Sequence, residues 1–311
     1  MDDELLRKTL TAHIRMNVAI GRRTFEQVIR DAVDVWEMGA DDHDLFVRTA
    51  EEIAGHAFAG HLAAQATWPQ VTDCDRLSMA MIDLAMAGIL SRESYTCCQN
   101  CASTEIGGEL GDLPGMRGYA FYHQQDAQAA AGGGGVMLAY GATGDGDAAG
   151  IGAEIVAACR SRGLEPEWDG DVRQRIDVPL DWRRRRFGPL ADHPGAQPPS
   201  AGPTVPVTFC DYTSLAADAP VDLTVQESRD LLLWMTPYAG NFVSYHGRPG
   251  PTLQFAWEKE MRLWAESPDP EARCFHGRHV TVDEALELIT VHVTNGRTTL
   301  ADLGEVETVP W

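Results

Sequence analysis

Long apolar runs are missing from this sequence. No stretch approaches eighteen consecutive apolar residues, so no membrane-spanning helix is expected. The opening Met1-Asp-Asp-Glu4 is acidic and lacks the basic region and apolar core of an export signal. The expectation from both absences is a cytoplasmic protein. Positive charge is also short, with 25 Lys and Arg against 46 Asp and Glu and a net charge of −21. Nucleic acid and anionic membranes require a positive face, so neither is an expected partner, and a basic protein suits the surface better. The common catalytic signatures are lacking too: there is no Gly-x-Ser-x-Gly and no His-Glu-x-x-His, and Gly132 to Gly135 is not followed by the Lys-Ser or Lys-Thr of a phosphate loop. Seven cysteines are an odd number, which argues against a disulfide framework and for reduced thiols.

What is present is enough material for more than one core, because 311 residues with 44% hydrophobic content exceed what a single compact core usually holds. The pattern predicts an α+β protein, with a helical N-terminal domain followed by two small α+β domains. Residues 1–91 read as four helices. Thr24-Phe-Glu-Gln27 is a capping-box start, and Phe25, Val28, Ile29, Val33 and Trp36 then recur on one face. Residues 92–190 read as a central α+β domain with strands at Gly118 to Tyr122 and Gly135 to Tyr140. A hairpin is expected there, with Leu164 to Trp168 and Val172 to Val178 meeting around Asp169-Gly170. Residues 191–206 are rich in Pro, Gly, Ala and Ser and read as a linker. Residues 207–311 form the third unit, with strands at Val207 to Tyr212, Asn241 to His246, Thr252 to Trp257 and Arg262 to Glu266. Capping boxes open helices at Thr224 and Thr281. With 7 basic and 16 acidic residues, the stretch from 201 to 311 is the most acidic for its length.

Cys97-Cys98-Gln-Asn-Cys101 is the densest group of unusual side chains. Cys98 and Cys101 have the spacing of a metal-chelating pair, and Cys97 or His123 could complete a tetrahedral set, with zinc as the expected ion. Only half of a zinc motif is visible, because no second Cys-x-x-Cys follows. Cys74, Cys159, Cys210 and Cys274 stand singly, a pattern that usually buries a thiol as a small hydrophobe. A redox pair would need a helix start after a strand, and Ala102 to Gly108 offers a weak helix before glycines interrupt, so metal ranks ahead of redox. His123, Gln125 and Asp126 sit at a strand end where polar groups can line a pocket, and Tyr140 and Trp168 could wall it; the plainer readings are a satisfied hydrogen-bond network or Asx turn at the strand end and two core aromatics. Arg183 to Arg186 is the one concentrated basic run, expected to meet acids within the same chain.

Four ordered stretches carry a resemblance: Cys97-Cys-Gln-Asn-Cys101, Tyr122-His-Gln-Gln-Asp126, Leu138-Ala-Tyr-Gly141 and Trp168-Asp-Gly170. Over roughly residues 75–187 the chain resembles an uncharacterised bacterial domain-of-unknown-function family of actinomycete type. That resemblance implies no activity, cofactor or catalytic residue. Thr252 to Trp257 and Trp264 to Asp269 are similar to small immunity-type modules of bacterial toxin systems. The expected role is therefore binding or regulation of a basic protein partner rather than catalysis. The alternative is a zinc-dependent or thiol-redox enzyme or sensor built on the Cys97 to Cys101 cluster.

Overall fold

The computed structural model describes residues 3–35, 40–113, 115–196, 202–247, 250–298 and 300–310. Three helices open it: α1 (Asp3–Ile20), α2 (Phe25–Val35) and α3 (Ala40–Gln65). Their apolar stripes close one core, in which Leu10, Ile14 and Val18 meet Phe25, Val28, Phe46 and Phe58. The capping box at Thr24 forms as the sequence predicts, with Thr24 and Gln27 exchanging backbone and side-chain hydrogen bonds. Trp36, assigned to the α2 stripe, lies outside the described residues.

A second core is built on a four-stranded sheet. α4 (Asp73–Met86) leads into β1 (Ile89–Arg92), α5 (Gln99–Asp112), β2 (Gly118–Phe121), α6 (Gln124–Ala131), β3 (Val136–Ala142), α7 (Ala148–Ser161) and β4 (Ile176–Val178). The strands run in the order β1-β2-β3-β4, with β1 and β2 parallel and the other pairs antiparallel. Leu77, Met81 and Leu84 of α4 and Ile151, Ile155 and Cys159 of α7 pack on this sheet through Ala120, Val136 and Leu138. α4 thus packs on the sheet of the stretch expected to follow residue 91, and Ile89 to Ser91, expected within the helical stretch, are strand β1. On its other side Met79 and Ile82 enter the third core.

That third core follows α8 (Gly188–Ala191) and belongs to a seven-stranded antiparallel sheet. Its strands are β5 (Thr204–Cys210), β6 (Ala216–Thr224), β7 (Phe242–His246), β8 (Thr252–Trp257), β9 (Leu263–Asp269), β10 (Cys274–His279) and β11 (Glu307–Pro310), in the order β11-β10-β9-β8-β7-β5-β6. α9 (Val225–Trp234) and α10 (Val282–Asn295) pack against it, burying Leu231, Trp234, Leu286 and Ile289 with Val207, Tyr245 and Phe255. The fold is mixed α+β with a helical N-terminus. The expected linker begins in α8 and ends in β5, with residues 197–201 outside the described part.

Two local expectations are corrected. The hairpin around Asp169-Gly170 reduces to a single bridge between Glu167 and Asp177, and β4 pairs with β3 instead. Side chains take the backbone donors there: Asp169 accepts from the Asp171 amide and Asp171 from the Arg173 amide, which closes local turns in place of a ladder. The doubtful helix after the cysteines is a full one of 14 residues. Ala102 and Ile106 bury against Leu90 and Phe121, and that packing outweighs the cost of the glycines at 107, 108 and 111.

Candidate functional site

The site grows from the segment joining β1 to α5. Ser94 and Thr96 both hold positive φ, at 50° and 51°, a conformation that non-glycine residues keep only when their surroundings impose it. The imposing contacts are backbone hydrogen bonds to the neighbouring strand and helix: Tyr95 N–H donates to the Tyr122 carbonyl at 2.8 Å, and Gln124 N–H to the Thr96 carbonyl at 3.1 Å. The chain is thereby folded back so that Cys98 becomes the N-cap of α5, one turn before Cys101. Cys97 and Cys101 bring their Sγ atoms to 3.5 Å, and all three sulfurs lie within 4.8 Å of one another. All three thiols are free and reach solvent. Sulfurs on a tetrahedral zinc ion with ~2.3 Å bonds stand roughly 3.8 Å apart, so the cluster could hold a metal ion with little rearrangement.

The three thiols are not equivalent. Backbone N–H groups at the start of α5, that of Cys101 foremost, and the neighbouring thiols lower the pKa of Cys98, although no amide closes a regular capping hydrogen bond to it. Cys101 moves the opposite way, to about 11, because it hydrogen-bonds to Cys97 and Cys98 and faces their negative charge. A first thiolate at Cys98 is therefore favoured, and Cys101 resists ionising until a cation neutralises it.

His123 stands apart from this group. It is the N-cap of α6, where Nδ1 accepts from the Asp126 amide at 3.3 Å while Nε2 faces Asp126 Oδ2 at 3.2 Å. Both ring nitrogens are occupied, and burial, opposed by Asp126, lowers the pKa of the imidazole. Arg175 completes the group at 3.0 Å from Asp126 Oδ1. Gln125 is exposed on the first turn of the same helix. Tyr140 and Trp168 do meet, edge to face with centroids 5.9 Å apart, but they pack over Gly152 of α7. The structure thus joins the three cysteines to each other, His123 to Asp126 and Tyr140 to Trp168, as three separate groups.

Beside the thiols lies a cleft of about 580 Å³, lined by the turn after α1, the β1–α5 segment, and Trp234 to Pro237 after α9. Cys97 and Cys101 are on its wall. Most of its charged residues are paired. Glu93 accepts from Arg184 at 2.6 Å and Tyr122 at 2.9 Å and faces Arg22 at 3.2 Å, and Arg92 and Tyr95 share Glu109. Sequence reasoning missed Glu93 and Glu109, since each is paired across at least fourteen positions and carries no local signature. The basic run turns inward: Arg184 meets Glu93, Arg185 meets Asp75, and Arg186 donates to the carbonyls of Val18, Leu190 and Arg23.

Fold and site together define a mixed α+β protein with a three-thiol cluster at a strand-to-helix junction. The family described as Domain of unknown function (DUF6891) matches residues 2–186, and the chain belongs to that family. The match reaches further toward the N-terminus than the resemblance over 75–187 and takes in the three-helix core. No curated protein and no solved structure matches the chain. Among the described residues no helix is long and apolar enough to cross a membrane.

Proposed function

We propose that the protein binds a zinc ion through Cys97, Cys98 and Cys101, and that metal occupancy sets the shape of the adjoining cleft. The observation that carries this reading is the convergence of three free sulfurs within 4.8 Å on a segment already held in an unfavourable backbone conformation. Three thiolates and a solvent molecule would complete a tetrahedral set. The same segment supplies Glu93 and Thr96 to the cleft, so an ion that clamps residues 97–101 also fixes one cleft wall. The test is metal content per chain, by elemental analysis after purification under reducing conditions. Zinc near one equivalent or above that falls by one equivalent in the Cys98→Ser, Cys101→Ser double variant supports the reading; zinc unchanged by the double variant removes it.

Placement of Cys98 at a helix start after a strand favours a second reading, thiol exchange, which the weak-helix expectation had ranked lower. Under that reading the cysteine cluster carries no metal, and the Cys98 thiolate is the first to attack the disulfide of a substrate, forming the mixed disulfide and releasing that disulfide's other sulfur as a thiolate. The charge balance supports a basic protein partner for either chemistry, of the kind an immunity-like module recognises. Capture of such a partner weakens as salt rises, and a salt-independent profile would count against it.

A further inference from the structure

We infer that Asp269, Cys274 and His276 form a second metal site, of zinc type, at the β9–β10 turn. Nothing in the spacing of the sequence marks it, because Cys274 reads there as a lone thiol. The antiparallel register makes the set. Cys274 stands opposite Asp269, and His276, two residues further along β10, projects from the same face. One oxygen, one sulfur and one nitrogen from this face lie within 4.8 Å of one another. His276 Nε2 is 3.7 Å from both Cys274 Sγ and Asp269 Oδ2. The Asp269–His276 distance is too long for a hydrogen bond. It is close to the roughly 3.3–3.6 Å that separates ligand atoms around a tetrahedral ion with ~2.0 Å bonds to nitrogen and oxygen and ~2.3 Å bonds to sulfur.

The surrounding contacts orient each ligand. His276 Nδ1 lies 3.1 Å from Thr308 Oγ1 on β11; an N–H donated there leaves the Nε2 lone pair directed at the other two groups, the usual outer support of a metal-bound imidazole. Asp269 uses Oδ1 for the turn, accepting from the Glu271 and Ala272 amides, which leaves Oδ2 for the ion. Cys274 is buried, whereas Asp269 and His276 keep about 40% of their side-chain surface exposed, at 40% and 42%, so an ion can enter and a water can take the fourth position. One thiolate and one carboxylate neutralise a divalent cation. A mixed sulfur, nitrogen and oxygen set suits zinc and excludes calcium and magnesium, which take oxygen. The ion would tie the ends of β9 and β10 together and, through Thr308, hold β11 against them.

This site is independent of the thiol cluster, and the experiment separates the two. Cobalt(II) is titrated into the full-length chain carrying Cys97→Ser, Cys98→Ser and Cys101→Ser, and the visible absorption of tetrahedral cobalt is followed. The expected result is one equivalent bound with a single thiolate-to-metal charge-transfer band, both lost on adding His276→Ala and both kept on adding the exposed-site control His56→Ala. Cys274 is buried, so Cys274→Ser is the supporting variant and His276→Ala, at a half-exposed position, is the deciding one, with far-UV circular dichroism showing that it folds. Absence of tetrahedral absorption in the triple variant, or its survival in His276→Ala, overturns the site.

Discussion

Arg184 Nη2 lies 2.6 Å from Glu93 Oε2, and both side chains are almost wholly buried. Tyr122 and Arg22 converge on the same carboxylate, so one acid joins the β1–α5 segment to β2, to the turn after α1 and to the chain beyond β4. Burial alone would push the Glu93 carboxyl up, but the Arg184 and Arg22 guanidiniums outweigh it and hold the group below the usual carboxylate range. Its folded pKa is therefore depressed, so the stabilisation it gives is present above the unfolded pKa and lost as pH falls through the folded one. Glu93→Gln leaves the buried Arg184 guanidinium and the partly buried Arg22 guanidinium without their counter-charge. The expected cost is about 3–5 kcal/mol, read as a lower denaturant midpoint at neutral pH, and a loss under about 1 kcal/mol would contradict the account.

The thiols of the cluster should react in a fixed order. Cys98 ionises more readily than an ordinary thiol and Cys101 less so, with a pKa near 11. Since the thiolate is the nucleophile, iodoacetamide at pH 7 is expected to label Cys98 well before Cys101, and Cys74 and Cys159, both buried and raised to about 12, after them. Peptide mapping over a time course measures the order. Equal rates at Cys98 and Cys101 would mean that the start of α5 does not polarise the site.

How far this could be read from sequence depended on the range of the interactions. The helices of the first core, the capping boxes at Thr24, Thr224 and Thr281 and the helical reach of α10 follow from periodicities within a few residues. The clustering of Cys97, Cys98 and Cys101 was equally local. α5 was underestimated because its stability comes from Ile106 packing on Leu90 and Phe121, which no window around the glycines contains. His123 drew attention as a ligand since its neighbours are polar, but that same polarity is a capping box, with Asp126 three residues on. β1, β6, β10 and β11 went unread: β1 is four residues directly after α4 and was taken into the helical stretch, β6 and β11 are largely exposed edge strands with little apolar alternation, and β10 interleaves Cys, His, Gly and Arg. The Asp269, Cys274 and His276 group depends on cross-strand register, which a single strand does not encode.

Two glycines should respond in opposite directions to alanine. At Gly118 an added Cβ would sit 2.5 Å from the Gly141 carbonyl oxygen and 2.9 Å from the Ile151 side chain, where β2, β3 and α7 meet. Gly118→Ala must push a strand or α7 outward, at a cost of about 1–3 kcal/mol. At Gly107, inside α5, nothing lies within 4 Å of the added carbon, so Gly107→Ala stabilises by roughly 0.5–1 kcal/mol through reduced unfolded-state freedom. Paired chemical-denaturation curves decide both, and a stabilising Gly118→Ala would refute the close approach of the two strands to α7.

Asp230 gives the boundary between the second and third cores a pH response. Arg185 Nη1 is 2.7 Å from Asp75 Oδ2 on α4 and 3.5 Å from Asp230 Oδ1 on α9, so a single guanidinium serves two buried acids. Burial first, and then the Asp75 carboxylate, push the Asp230 carboxyl up to about 7 against the pull of Arg185. Because the folded pKa exceeds the unfolded one, the folded chain binds a proton that the unfolded chain has released. The resulting stabilisation is complete below about pH 4 and is lost as pH rises to about 7. Asp230→Asn keeps the shape and the hydrogen bond with Gln226 while removing the charge. The variant is expected to flatten stability between about pH 4 and pH 7 and, at pH 8, to exceed the parent by roughly 1–3 kcal/mol, since it no longer buries an extra anion. Urea unfolding of both chains across that range is the measurement. A parent and variant with the same pH dependence across the window would show that the Asp230 carboxyl does not titrate there and that Arg185 satisfies both acids.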